Sequence, residues 1–390
     1  MPNAAINSET LSKDSAMALD RFRQKSHQRI DFWLMLMVLG LLAFGLIMVS
    51  SASVVVAYKD YGSNNYFLVR QLWAALAGIG AMVVFTMIDY RIWQRYATQI
   101  GVAMLVFLAL PHIPGVGSVA NGAQRWITIA GISLQLSEPV KLLSILYLGA
   151  WLTAREKVMN NIKETFVPFM IGLVVIVGAI LLQPDAGTAI TLGIVLTGMY
   201  FLGGAKPLHL GYLFAAAVAG LFLILQSPYR AQRLLVFLNP NASTLGAGYH
   251  INQALLAIGS GGWFGLGFGQ SVQKYLFLPE VQTDSIFAVA TEELGFLRMT
   301  AILAIYGAVV LRGYRIARLA PDRFGQLVAF GITTLLAVQA LVNIGAMLGV
   351  MPLTGVTLPL MSYGGSSLIS TLAGIGVLLS ISKHVEREAV

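Results

Sequence analysis

The residues able to do chemistry concentrate between Tyr249 and Phe296, where YHINQALLAIGSGGWFGLGFGQSVQKYLFLPEVQTDSIFAVATEELGF sets glycines, amides, a histidine, a lysine and carboxylates into an otherwise apolar chain. Asp284 follows Thr283 at the predicted start of a helix and is expected in its first turn. An acid there is ordinarily a cap or a partner for the helix dipole. With Thr283 as the cap, the Asp284 carboxylate is left to face a cavity. Upstream, Gly259 to Gly269 (GSGGWFGLGFG) holds six glycines in eleven residues. That density suits a nest of N–H groups around an anion, and equally a tight turn at a membrane surface.

Other ionisable side chains lie in or beside apolar runs: Glu138 and Lys141, Asp185, and Glu292, Glu293 and Arg298. Charge at membrane depth costs several kcal/mol, so such groups face a bundle interior and have partners. Glu138 and Lys141, three apart on one helical face, are expected to pair with each other. At about 1.5 Å per residue, Arg298 is expected roughly 20 Å below Asp284.

The elements that must position these groups are membrane helices. Of 390 residues 57% are hydrophobic and only 11% charged, with mean hydropathy +0.76, where soluble domains carry about 25% charge. Apolar runs at 32–58, 68–88, 93–111, 139–154, 165–183, 187–204, 208–227, 284–311, 325–349 and 366–382 come near the ~20 residues that cross a bilayer as helix. The fold class expected is all-α, a polytopic membrane bundle of about ten transmembrane helices. The first run is too long for a signal-peptide core and reads as a retained helix. Basic residues gather at 1–30, Arg91/Arg95, Arg155/Lys157/Lys163, Lys206, Arg312–Arg323 and Lys383/Arg387. By the positive-inside rule these face the cytoplasm together with both termini. The net charge of +8 is thereby explained without nucleic acid. The expected organisation is a basic tail over 1–30, a transmembrane domain over 31–383 and a tail over 384–390. A large outer loop at 228–283 joins the seventh and eighth helices. The outer connections 112–138 and 228–283 contain apolar and aromatic residues, which predicts short interfacial helices and packed turns. No cysteine is present, so thiolate metal sites and cysteine nucleophiles are excluded.

GAQRWI (Gly122–Ile127), QLSEPVK (Gln135–Lys141), QPDAGTA (Gln183–Ala189), YRAQRLLVFLNP (Tyr229–Pro240), GYHINQALLAIGSGG (Gly248–Gly262), FLPEVQTDSIFA (Phe277–Ala288), EELGF (Glu292–Phe296) and MPLTGVTLPLMSYGGSS (Met351–Ser367) stand in this order. Together they resemble the SEDS family of shape, elongation, division and sporulation proteins, which includes RodA and FtsW. The basic extension and SVQKYLFLPE lean toward FtsW, while MPLTGV and GAQRWI resemble RodA as much. The chain departs from the family pattern at Leu136, at Pro139 and at Arg298.

The resemblance implies a ten-helix peptidoglycan glycosyltransferase of the bacterial cytoplasmic membrane, with its active site on the outer face. It polymerises lipid II and works with a class B penicillin-binding protein among other divisome or elongasome membrane proteins. The family's essential aspartate falls at Asp284, the candidate base. Arg125, Glu138, Lys141, Asp185 and Ser366 match family-pattern positions. Attack of a sugar hydroxyl on a lipid-linked sugar also needs positive charge at the departing pyrophosphate. Arg230, Arg233 and Lys274, with Arg125 behind them, are the candidates for it; binding of anionic lipid headgroups is the other use of such arginines. A divalent cation, Mg or Mn, can share that charge, although no ligand cluster in the sequence demands one. The rival reading is a flippase that moves lipid II without chemistry.

The charge asymmetry makes a direct prediction. Cysteines placed at Ser243 and Arg318 of this cysteine-free chain should react with an impermeant thiol reagent in intact cells only at position 243; labelling at 318 alone would reverse the topology.

Overall fold

The computed structural model describes residues 30–113, 117–120, 123–129, 132–159, 161–209, 211–215, 220 and 247–385. Helix α1 (Phe32–Tyr61) starts where the Asp31 carboxylate accepts from the Leu34 N–H, and it ends at Gly62 in the left-handed region. Then come α2 (Tyr66–Met87), the short α3 (Arg91–Arg95), α4 (Ala97–Ala109), α5 (Ser137–Ala154), α6 (Val167–Leu182) and α7 (Ala186–Leu202). After the undescribed stretch follow α8 (Ala247–Ser260), α9 (Ile286–Leu319), α10 (Arg323–Met347) and α11 (Gly365–Ser382). Among the described residues six helices are long and apolar enough to cross a membrane, counting α6 from Ile162, and α4 and α7 are shorter apolar helices. The run expected at 208–227 lies largely outside the described residues, as does the tail over 1–29.

Close approach of these helices depends on missing side chains, as expected where lipid supplies no hydrophobic drive between helices. A Cβ at Gly376 of α11 would meet the Met82 carbonyl of α2 at 2.5 Å, and one at Gly313 of α9 would meet Thr333 Oγ1 of α10 at 2.3 Å.

Two expectations are corrected. In the connection before α5 the described residues hold one 3-10 turn, Leu110–His112, and beyond it an antiparallel sheet that was not expected: β1 (Gly117–Ala120), β2 (Ala123–Ile129) and β3 (Ile132–Gln135), with Trp126 opposite Gln135. The alternating QRWITI sequence, rich in aromatic and β-branched residues, suits a strand. The fold is thus a helical membrane bundle with one small sheet at an end. Second, α9 does not stop at 311. It carries Arg312, Arg315 and Arg318 in its last turns, where cations favour the helix C-terminus, and only residues 320–322 separate it from α10. Arg312 reaches Asp31 at 2.7 Å, tying the end of α9 to the start of α1.

Helix α9 is broken at Gly295, whose φ of 78° and ψ of 174° belong to a region open essentially to glycine alone. The glycine-rich loop fills the break. In an unbroken helix the N–H groups of Phe296 and Leu297 would bond the carbonyls of Glu292 and Glu293. Here they bond the carbonyls of Gly262 (2.8 Å) and Trp263 (3.1 Å), while the carbonyls of Glu292 and Glu293 accept from the N–H groups of Leu266 and Gly267, both at 3.0 Å. A Cβ on Gly265 would lie 2.2 Å from the Glu293 carbonyl, and one on Gly295 would lie 2.2 Å from the Gly265 nitrogen. The glycines therefore serve backbone-to-backbone contact, and these N–H groups are not turned to an anion.

Gly295→Ala adds a methyl where backbone stands and forces a disfavoured dihedral, each costing about 1–3 kcal/mol. Thermal melts in detergent should show a loss of about 3 kcal/mol or more. Gly307→Ala, in the same helix with nothing within 4 Å of the added carbon, should stay within about 1 kcal/mol of the parent.

Candidate active site

Asp284 lies half-buried immediately before α9, on a segment held by its carbonyls. The Gln282 carbonyl accepts from the Tyr363 N–H at 2.8 Å, the Thr283 carbonyl from Ser362 Oγ at 2.6 Å, and the Asp284 carbonyl from Asn343 Nδ2 at 2.9 Å. All three donors come from α10 or from the irregular segment 348–364 that follows it. The N-cap is Ser285, without a side-chain cap bond, and the first turn of α9 contains no acid. The cap role expected of Asp284 or Thr283 thus falls to neither. Thr283 Oγ1 donates to Glu280 Oε2 at 3.0 Å, and Ser285 Oγ donates to the Pro279 carbonyl at 2.7 Å with His250 Nε2 at 2.6 Å on its other side. Gly355, with φ of +72°, borders the carboxylate: a Cβ there would sit 3.4 Å from Asp284 Oδ2.

The segment 348–364 leads from Asp284 to a second polar cluster. Asp185 caps α7 by accepting from the Thr188 N–H at 3.1 Å, and it also takes Arg125 Nη1 and Gln135 Nε2, both at 3.3 Å. Ser366 Oγ accepts from the Gln135 N–H at 3.0 Å, and Thr357 meets Ser367 at 3.2 Å. A Cβ on Gly187, in the first turn of α7, would lie 2.6 Å from the Thr354 carbonyl. Arg125 keeps about a quarter of its side chain exposed, and its Nε has no partner among the described residues. The N-terminus of α11 has no side-chain cap. A helix N-terminus beside a guanidinium is a setting for an anion. Burial pushes the Tyr363 phenol above its ordinary range against the pull of Arg70, so at neutral pH the group is a hydroxyl.

Glu138 and Lys141 pair as expected, at 2.8 Å and almost fully buried. They border a cavity of about 20 Å³ together with Gln339, Ser370 and Thr371, room for about one water.

Lys274, expected at the pyrophosphate, is 4% exposed and packed into the bundle. Its Nζ lies 3.0 Å from Glu293 Oε1, 2.6 Å from the Gly269 carbonyl and 3.3 Å from Ser51 Oγ of α1. A buried carboxylate requires such a partner. Glu292 accepts from Ser271 Oγ at 2.5 Å and from the Val272 N–H at 3.1 Å. Arg298 is exposed and donates to the Phe264 carbonyl at 3.1 Å, so it secures the glycine loop. Arg230 and Arg233 lie outside the described residues. Among the described residues no cluster of three His, Asp or Glu side chains is placed to hold a metal. Sequence reading missed Asn343, Ser362, Gln71 and Gln135. For Gln71 and Asn343 the available signal was an amide inside an apolar run, which must find a partner at membrane depth.

The family model for cell cycle proteins of the FtsW, RodA and SpoVE group matches residues 32–387. The chain is 42% identical over 363 residues to the probable peptidoglycan glycosyltransferase FtsW of Geobacter metallireducens, covering 93% of this chain and 97% of that one. It is 42% identical over 360 residues to the stage V sporulation protein E of Bacillus subtilis, covering 91% and 97%. Among solved structures it is similar to a chain of a peptidoglycan synthase complex that coordinates polymerization and crosslinking (TM-score 0.75, 28% identity, 91% of this chain and 98% of that chain). It is also similar to the rod shape determining protein RodA of Thermus thermophilus (TM-score 0.67, 29% identity, 92% and 99%).

Lys274→Met strands the buried Glu293 carboxylate and should cost about 3–5 kcal/mol in a thermal melt. Adding Glu293→Gln removes the stranded charge and should recover more than half of that loss; a melt unchanged by Lys274→Met would show that the ammonium does not hold the helix break.

Proposed function

The chain belongs to the FtsW, RodA and SpoVE family of cell cycle proteins, and we propose that it polymerises the glycan strands of peptidoglycan from lipid II, with Asp284 as the catalytic base. It is a multi-pass membrane glycosyltransferase acting in cell division or elongation. The observation that carries the assignment of the base is the fixing of residues 282–284 by one carbonyl hydrogen bond each at a loop-to-helix junction, with the Asp284 carboxylate beside a glycine.

In the proposed reaction a sugar 4-hydroxyl attacks the anomeric carbon of the lipid-linked disaccharide. The new C–O bond forms as the bond to pyrophosphate breaks, and configuration inverts. The hydroxyl proton passes to the Asp284 carboxylate, and the bonding electrons leave on polyprenyl pyrophosphate. General-base assistance of this kind contributes about 10²–10⁴-fold. Arg125, Ser366 and the N-terminus of α11 receive the departing negative charge, with Arg230 and Arg233 added from the outer loop. Asp185 orients Arg125, the Glu138–Lys141 pair braces α5 beside α10 and α11, and Lys274 acts on the fold alone.

The likeness to a chain of a peptidoglycan synthase complex supports a crosslinking partner, a single-pass class B penicillin-binding protein. The basic loops support a cytoplasmic-membrane protein with ten spans, both termini inside and the site outside. Against a flippase, the distinctive residues of the sequence cluster in the connections expected on the outer face and not at the bilayer midplane.

Asp284→Asn preserves shape but cannot take the proton. Glycan product from purified lipid II should fall by about 10²–10⁴-fold with the thermal melt little changed. Asp185→Asn and Glu292→Gln should lose less. Normal product from Asp284→Asn would end the assignment of the base, and absence of any polymer from the purified parent would favour transport.

A further inference from the structure

We infer that Asn343 is a positioning residue of the reaction: one side-chain amide in α10 sets the backbone of Asp284 against the irregular segment that faces its carboxylate. This rests on the reading of Asp284 as the base. Asn343 is 2% exposed. Its Nδ2 donates to the Asp284 carbonyl at 2.9 Å and to the Val356 carbonyl at 2.8 Å. Two carbonyls can be met only by a group carrying two N–H bonds, so the amide orientation follows from its surroundings. Val356 directly follows Gly355, the residue bordering Asp284 Oδ2. The amide therefore spans both walls of the carboxylate: the backbone from which it projects and the segment at Gly355 that it faces.

The choice of side chain favours this role over packing. Asn343 Oδ1 is buried with no partner among the described residues, and a buried acceptor without a hydrogen bond costs stability. A leucine there would fill similar space without that cost, but it could not bridge the two carbonyls. Aspartate lacks the donors, and glutamine keeps them but moves them by one methylene. The neighbouring clamps, Ser362 on Thr283 and Tyr363 on Gln282, hold the preceding residues. Among the described contacts, Asn343 is the side chain that fixes the Asp284 carbonyl itself.

The effect belongs on turnover, because a displacement of about 1 Å at a reacting group costs on the order of 10²-fold while substrate binding elsewhere persists. Asn343→Ala, assayed with purified lipid II, should lower kcat by about ten- to hundredfold with KM within about twofold. Placed on Asp284→Asn it should lower the residual rate no further, since it acts through that carboxylate. Val328→Ala, a buried truncation in the same helix away from the site, should lower the melting temperature without that loss of kcat. Should Asn343→Ala fail to fold, Asn343→Ser, which keeps one donor, should show an intermediate kcat at unchanged KM. Parental kcat in a folded Asn343 variant, losses that multiply with Asp284→Asn, or loss of kcat in step with melting temperature as in Val328→Ala would each overturn the inference. Failure of the base reading shows separately, as normal product from Asp284→Asn alone.

Discussion

An irregular stretch of backbone buried among packed helices has to find hydrogen-bond partners within the protein, because a buried N–H or C=O left unpaired costs about as much as a lost hydrogen bond. Residues 356–364, mostly buried, are that stretch, and the site depends on how they are satisfied. Gln71 donates to the Ser362 carbonyl and accepts from the Gly364 N–H, both at 3.1 Å. Ser362 Oγ accepts from the Leu358 N–H at 2.9 Å, Tyr306 donates to the Pro359 carbonyl, and Asn343 donates to that of Val356. Gly45 of α1 lets the Leu360 carbonyl come so near that a Cβ would lie 2.2 Å from it. Helices α1, α2, α9 and α10 thus each contribute a contact to one non-helical strand. That strand in turn borders Asp284 on one side and the Ser366 and Asp185 cluster on the other.

The break in α9 follows the same rule with different parts. Opening a helix at Gly295 exposes two donors and two acceptors, and the loop at Gly262–Gly267 supplies two acceptors and two donors in register. The flanking carboxylates are held in place by Lys274, Ser51, Ser271 and the Val272 N–H. The portion of α9 that follows Asp284 is therefore fixed by the loop and by α1, apart from the longer portion that spans the membrane.

Much of the fold was legible because lipid imposes a length and a polarity on every helix: the apolar runs foretold α1, α2, α5, α6, α7, α9, α10 and α11 to within a few residues at most ends. Asp284, Asp185 and the Glu138–Lys141 pair were legible as charges in costly places. The remainder depended on contacts between residues far apart in the chain. Nothing local to GSGGWFGLGFG distinguishes an anion nest from a plug for a helix break, because both require bare backbone. Lys274 reads as a surface cation until Glu293 and Ser51 are brought against it. The sheet was missed because its strands are short and lie between apolar helices, where length gives no signal. The basic run over Arg312–Arg323 indicated a side of the membrane but not that the helix continues through most of it.

Synthesis runs from the N-terminus, so Gly261–Gly267 is made before Glu292–Leu297. During membrane insertion the loop must therefore remain undocked until the N-terminal part of α9 arrives. Until then that helix end has unmatched backbone groups, and the carboxylates of Glu292 and Glu293 lack their hydrogen-bond partners. Completion of the site is in this way a late step of biogenesis. A chain stalled or cut between the loop and the helix would contain every residue upstream of the cut and still lack the backbone partners that close the break at Gly295.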